Sequence, residues 1–259
     1  MNNKEPVIKI RKLKITFGSK VVLNEIDLDI FPGETLAVIG PSGTGKSTVL
    51  KVLTGLLAPT SGSVVIEGQE TNSFDEAQWD ELRKHMGVVF QYSALFDFLT
   101  VGENVAFGLR RHFSLPEEEI QGRVEELLKL VGLPDAKDMM PAELSGGMKK
   151  RVGLARAIAT NPEIIFFDEP TTGLDPIMSD VINNLIVSCV KNLGATALTI
   201  THDMASARKI ADRIAMLHKG KIVWIGTVKE IEKTDNPYVV QFINGRADGP
   251  IQMTVKADE

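Results

Sequence analysis

Cysteine is almost missing: Cys189 is the only one in 259 residues. A single cysteine excludes an intramolecular disulfide and fits a reducing compartment. An excess of positive charge is missing too. Lys and Arg number 29 against 34 Asp and Glu, for a net charge of −5, so no global basic field points to nucleic acid as a partner. No apolar run approaches the ~18–20 residues of a membrane-spanning helix. The start, Met1-Asn2-Asn3-Lys4-Glu5-Pro6, lacks the apolar stretch of a signal peptide. The expectation is a chain soluble by itself and cytoplasmic, reaching a membrane only through a partner. Internal repeats and low-complexity stretches are also lacking.

What is present is enough apolar material, 43% of the residues, for a full core, and two glycine-rich elements far apart in the chain. The first, Gly40-Pro41-Ser42-Gly43-Thr44-Gly45-Lys46-Ser47, matches G-x-x-x-x-G-K-[ST] in full and continues into Thr48. It follows an apolar strand, Thr35–Ile39, and opens a helix, expected over Lys46–Leu57, which is the order the motif requires. Its glycines let backbone N–H groups wrap phosphates, and the helix N-terminus adds its dipole. Lys46 supplies a point charge to the β- and γ-phosphates, and the Ser47 hydroxyl suits Mg²⁺. The second element is Leu144-Ser145-Gly146-Gly147-Met148, followed by Lys149, Lys150 and Arg151.

Beyond it lies Ile164–Phe167, apolar throughout as in a sheet buried on both faces, ending in Asp168 and Glu169. Two adjacent carboxylates at a strand end beside a phosphate loop suggest two roles. Asp168 would hold Mg²⁺, and Glu169 would polarise the attacking water as general base. Gln91 follows Val88-Val89-Phe90 and could reach the metal or the water through its amide oxygen. Alone it would read as a surface polar residue. His202 follows Thr199-Ile200-Thr201 and could contact the γ-phosphate, although a lone histidine at a strand end is usually structural.

The remaining pattern predicts strands over Val7–Thr16, Val21–Ile30, Met86–Phe90 and Thr196–Ile200. A closing hairpin of Ile214–Leu217 and Ile222–Ile225 is expected around Lys219-Gly220. Helices are expected over Val101–Arg111, Pro116–Val131, Gly147–Thr160 and near Ile177–Leu193, with Pro116 in the first helical position. The segment from about 92 to 160 therefore reads as a helical insert in an α/β core. The apolar run Tyr92 to Leu99 directly after Gln91 reads in part as packing inside that insert and in part as a groove for a partner's helix.

Taken together, these motifs resemble the nucleotide-binding domain of ABC transporters. Gly40–Ser47 looks like Walker A, Gln91 like the Q-loop, Leu144–Gly147 like the signature, and Ile164–Glu169 like Walker B with its catalytic glutamate. Gly173-Leu174-Asp175 looks like the D-loop, His202 like the switch histidine, and Phe17 like the aromatic that stacks on adenine. The resemblance implies a P-loop NTPase core of RecA-like type with an antiparallel β subdomain and an inserted helical subdomain, over residues 1–240. It implies ATP and Mg²⁺ as cofactors, with the cation at Ser47, Gln91 and Asp168. It also implies a homodimer in which Ser145, Gly146 and Gly147 cover the ATP held by the other chain.

One position departs from the family pattern. Met148 stands where the signature usually has Gln, but the hydroxyl and glycine amides that touch phosphate are retained. Met148, Asp97, Phe242 and the Gly249-Pro250-Ile251 tail resemble the ATPases of MCE-associated lipid transporters, above all the bacterial Mla phospholipid systems. That likeness implies a membrane permease, an MCE-domain protein and a small STAS-domain protein as partners, at the cytoplasmic face of the inner membrane. Residues 241–259 read as a tail whose Gly, Pro and mixed charge prevent a core of its own, either a frayed terminus or a strap that docks Ile251, Met253 and Val255 on the other ATPase or a small accessory subunit. The competing readings are an importer of small solutes and an ABC ATPase outside transport, which often carries coiled-coil inserts or two fused halves that this length cannot hold. A guanine-reading Asn-Lys-x-Asp element is absent.

Overall fold

A computed structural model gives the structure of the chain and describes residues 5–252. Period-two burial builds a first, antiparallel sheet from β1 (Ile8–Phe17), β2 (Lys20–Ile30), β4 (Ser61–Ile66) and β5 (Gln69–Glu70), ordered β2-β1-β4-β5. Ile8, Ile10, Leu13 and Ile15 of β1 are all buried. The alternation slips by one residue between Ile10 and Leu13. There Lys12 takes a left-handed φ of 47° and the register shifts, so a bulge returns Leu13 to the core face.

The second sheet runs β10 (Lys221–Thr227), β9 (Arg213–His218), β3 (Thr35–Ile39), β8 (Thr196–Ile200), β7 (Ile164–Asp168), β6 (Met86–Val89). All neighbours are parallel except the edge strand β10. β3 and β8 are buried at every residue, because both faces of this sheet are covered. On one face, α1 (Lys46–Leu53) and the antiparallel sheet share a core with Phe166. On the other, Phe167 joins α3 (Val101–His112), α4 (Glu117–Leu130), α5 (Gly146–Ile158) and α6 (Pro176–Leu193). The adjacent phenylalanines thus point into two different cores. The architecture is α/β, with an antiparallel β layer and a helical layer flanking a mainly parallel sheet.

The described residues also hold four shorter α-helices, α2 (Glu76–Arg83), α7 (Met204–Ile210), α8 (Val228–Ile231) and α9 (Pro237–Ile243). They, and β4, are short and were not anticipated. Most expected bounds shift by a residue or two, and the helix expected over Gly147–Thr160 is found at Gly146–Ile158. α1 stops at Leu53, not Leu57, because Gly55 takes φ 72° and its backbone lies against the Trp79 ring, where a Cβ would come within 2.4 Å. Pro116 precedes α4 as its N-cap, in extended conformation, instead of occupying its first turn. Phe90 falls outside β6 and is exposed.

Part of the tail is fastened to its own chain: Ile251 is buried in a cluster with Ile231 and Val239. The buried Gln241 side chain clasps it. Its Nε2 donates to the carbonyls of Arg246, Ala247 and Ile251, and its Oε1 accepts the Ile251 N–H at 2.7 Å. Met253 and Val255 lie outside the described residues.

Candidate active site

Four neighbouring parallel strands, β3, β8, β7 and β6, deliver the predicted groups at their carboxyl ends: the Gly40–Ser47 loop, His202, Asp168 with Glu169, and Gln91. That edge is where ligands bind in open α/β sheets. The loop has the glycines it needs. Gly40 takes φ 145°, and a Cβ there would meet the Leu217 carbonyl oxygen at 2.1 Å. Gly45 takes φ 101° as N-cap of α1 and brings no side-chain cap, which leaves the first-turn N–H groups and the positive dipole end for an anion. The Thr44 hydroxyl donates to the Pro41 carbonyl at 2.9 Å and fixes the loop internally.

Lys46 is buried, and its ammonium donates to the carbonyls of Gly40 at 2.8 Å and Pro41 at 3.0 Å. Burial pushes its pKa down, against the pull of Glu169 and Asp168. Ser47 Oγ donates to Asp168 Oδ1 at 3.2 Å. Burial pushes the Asp168 carboxyl up, opposed by that hydrogen bond, with the Glu169 charge adding to the rise.

Glu169 is the convergence point. Its Oε2 lies 3.2 Å from His202 Nδ1, 3.4 Å from Gln91 Nε2 and 2.8 Å from the Thr172 hydroxyl that donates to it. Its backbone is left-handed, φ 45°, and its N–H is tied to the Ile200 carbonyl at 2.9 Å. A non-glycine residue held in that region is strained. The strand end thus turns this carboxylate toward Gln91 and His202.

Ser145 and Asp175 act locally as helix caps. The Ser145 hydroxyl accepts from the Met148 N–H at 3.3 Å at the start of α5, and Asp175 accepts from the Ile177 and Met178 N–H groups at 3.0 Å each at the start of α6. Ser145 and Gly146 are exposed, whereas Gly147 is buried with Met178 Cγ about 3.1 Å from where its Cβ would stand. Among the described residues, no hydrogen bond joins Ser145–Gly147 to the Gly40–Ser47 loop. Phe17 is 53% exposed, free to stack.

Several contributing residues were missed. Thr172 is one. Lys150 is another, buried between the Gln91 and Glu169 backbones. A third set links the loops around the site. Buried Ser206 joins Thr171 at 3.2 Å, Asn183 at 2.9 Å and Asp203 at 2.6 Å, directly behind His202. Lys150 acts through carbonyls distant in sequence, while Thr172 and Ser206 meet carboxylates three residues back only because the loops turn there, so local pattern carries no sign of these roles.

The segment after Gln91 divides. Ser93 is buried and Leu95 packs on the helical core, while Tyr92 and Phe98 are 82% and 77% exposed. Beside it opens a largely apolar groove of about 530 Å³ between the helical layer and the sheet, lined by Phe90, Ala94, Phe96, Phe107 and Arg156 among others.

A loop built for phosphate, opposite a carboxylate bonded to Gln and His, describes a nucleoside triphosphatase, and comparison with known proteins decides which kind. A family described as ABC transporter matches residues 23–172, more than half of the chain. The chain belongs to the ABC transporter ATPases. It is 38% identical over 253 residues to the intermembrane phospholipid transport system ATP-binding protein MlaF of Haemophilus influenzae, covering 98% of this chain and 96% of that one. It is 42% identical over 252 residues to the probable ribonucleotide transport ATP-binding protein mkl of Mycobacterium leprae, covering 97% and 73%. Among solved structures, an ATP-binding cassette in a dimeric post-hydrolysis state with ADP and Pi superposes with a TM-score of 0.79 at 34% identity, over 85% of this chain and 98% of that one. This ABC ATPase is therefore an ATP-hydrolysing enzyme coupled to transport. No helix of its described residues is long and apolar enough to cross a membrane.

Proposed function

We propose that this ABC ATPase drives phospholipid movement between membranes. The similarity to the phospholipid transport ATPase carries the reading, because it extends over nearly the whole of both chains. Met148 and Asp97 agree with it. In this reading the chain sits peripherally on the cytoplasmic face of an inner membrane, as a pair, with a permease. An MCE-domain protein and a small STAS-domain protein complete the assembly. The groove beside Phe96 and Phe107 takes a cytoplasmic helix of the permease, so that movement of Gln91 on ATP binding shifts that helix.

At the site, the Gly40–Ser47 backbone, with Pro41, Ser42, Gly43, Thr44 and Thr48, cradles the phosphates of ATP, and Phe17 stacks on adenine. Lys46 exchanges the Gly40 and Pro41 carbonyls for phosphate oxygens. The donor set suits a hard divalent cation: Ser47 hydroxyl, Asp168 carboxylate and Gln91 amide oxygen. Ser47 Oγ and Asp168 Oδ1 already converge at 3.2 Å, which supports Mg²⁺ there. A bound Mg²⁺ would neutralise phosphate charge. Glu169, aimed by Gln91, Thr172 and His202, takes the proton of the attacking water, and His202 turns to the γ-phosphate. Asp175 and the exposed Ser145–Gly146–Gly147 loop serve the partner chain's ATP.

The relative named for ribonucleotide transport, at 42% identity, favours a small solute as the alternative cargo. Purifying the native complex and identifying its proteins and lipids by mass spectrometry separates the two. Co-purified phospholipid with an MCE-domain subunit is expected. A complex that lacks both and takes up a nucleotide in vesicles contradicts the lipid reading.

A further inference from the structure

One face of α5 is committed to the loop after Gln91. Lys150, Gly153 and Arg156 recur at three-residue spacing and so lie together on the helix. Arg156 donates from Nη1 to the Ala94 carbonyl at 2.6 Å and from Nη2 to the Ser93 carbonyl at 2.7 Å. Gly153 faces Ser93 directly: a Cβ at Gly153 would stand 3.4 Å from the Ser93 Cβ, in ordinary contact. Ser93 and Ala94 hold left-handed φ values of 63° and 45°, a conformation these contacts maintain. Lys150 reaches furthest. Its ammonium donates to the Gln91 carbonyl and, at 3.5 Å, to the Glu169 carbonyl.

Lys150 is only 6% exposed, and burying an ammonium is costly unless it is paired and hydrogen-bonded. Here the compensation comes from two backbone carbonyls and the nearby charges of Glu169 and Asp168. The two carbonyls belong to the residues whose side chains meet at 3.4 Å, Gln91 and Glu169. α5 itself is capped by Ser145, in the exposed loop read above as serving the partner's ATP.

We propose that Lys150 is a positioning residue for hydrolysis: its buried ammonium fixes the Gln91 and Glu169 backbones relative to each other, and ties the Ser145–Gly147 end of α5 to its own chain's water-activating carboxylate. The proposal rests on the assignment of Glu169 as general base. It makes α5 a rod with one end on each of two ATP sites. Removing the ammonium leaves the phosphate loop intact but lets Glu169 and Gln91 drift apart. A misplacement of about 1 Å near reacting groups lowers turnover by about 10²-fold.

The experiment compares Lys150→Met and Lys150→Arg with wild type in ATPase rate, ATP affinity and melting temperature. Lys150→Met is expected to lower kcat by about 10–100-fold with KM within about twofold, the pattern of an interaction realised only during reaction. Lys150→Arg, which keeps charge and donors, should recover most of that loss. If Lys150→Met does not fold, Lys150→Gln, which keeps an amide donor group but no charge, is read by the same criteria. Wild-type kcat in Lys150→Met overturns the proposal. So does a fall in kcat matched by equal losses of ATP affinity and melting temperature with no recovery by Arg, the mark of packing alone. Glu169→Gln is measured alongside. If that variant hydrolyses ATP normally, the general-base assignment fails. If it is inactive while Lys150→Met is normal, only the role of Lys150 fails.

Discussion

Glu169 sits where three side chains meet on one oxygen, and its chemistry is the most exposed to test. Glu169→Gln should keep ATP binding and lose turnover by about 10²–10⁴-fold, because an amide cannot accept the proton. Lys46→Ala should instead weaken nucleotide binding, since the charge facing the phosphates goes. Equilibrium nucleotide binding beside steady-state ATPase rates separates the two, and near-normal hydrolysis by Glu169→Gln contradicts the assignment. Cys189 offers an independent probe. It is buried in the helical core, and burial pushes its thiol up to about 11. At pH 8 the folded chain should leave a thiol reagent unreacted, and one equivalent should react on unfolding. Rapid labelling of the native chain would show that α6 does not pack as described. At this scale the sequence was most readable where chemistry dictates residue type at fixed local spacing, as in Gly40–Ser47 and Asp168–Glu169. Lys150, Thr172 and Ser206 were unreadable: a lysine beside other lysines has the same local pattern whether or not it faces a distant carbonyl, and a hydroxyl three residues after a carboxylate meets it only where the intervening loop turns back.

Elements read from a continuous apolar run, such as β3 and β8, and the long helix α6 stand where the pattern predicts them. Those set by distant contacts do not. α1 ends early because Trp79 occupies the space beside Gly55, a contact no window over Lys46–Leu57 contains. β4 exists because β1 offers it a partner across Ile8↔Ile66 and Ile10↔Val64. The tail is the plainest case. Gly, Pro and mixed charge read as irregular, and the backbone there is irregular, yet Gln241 makes it specific. Gln241→Leu should leave the Ile251 N–H and the Arg246, Ala247 and Ile251 carbonyls without this partner. The expected loss of stability is about 1–3 kcal/mol, read from the denaturation midpoint. An unchanged midpoint would show that the clasp contributes nothing.

Across the whole molecule, the phosphate loop is complete in one chain, while the Ser145–Gly146 loop faces outward without a phosphate of its own. The similar cassette solved with ADP and Pi is a dimer. In the proposed reading, two chains related by a two-fold axis would give two equivalent sites, each with the Lys46 loop of one chain and the Ser145 loop of the other. A partner helix in the Phe96 groove would feel changes at Gln91 directly, because Arg156 and Lys150 hold the intervening loop to α5. Asp97→Arg, at an exposed position on that loop, should spare ATP binding by the isolated chain and weaken co-purification with the permease. Unchanged co-purification would place the permease contact elsewhere. The composite site is tested most directly by mixing chains carrying Ser145→Arg with chains carrying Lys46→Ala, each inactive alone. A mixed dimer holds one intact site and one doubly damaged site, so random pairing should restore roughly a quarter of wild-type ATPase activity if the sites act independently. A mixture no more active than its two components would contradict ATP hydrolysis between two copies of this chain.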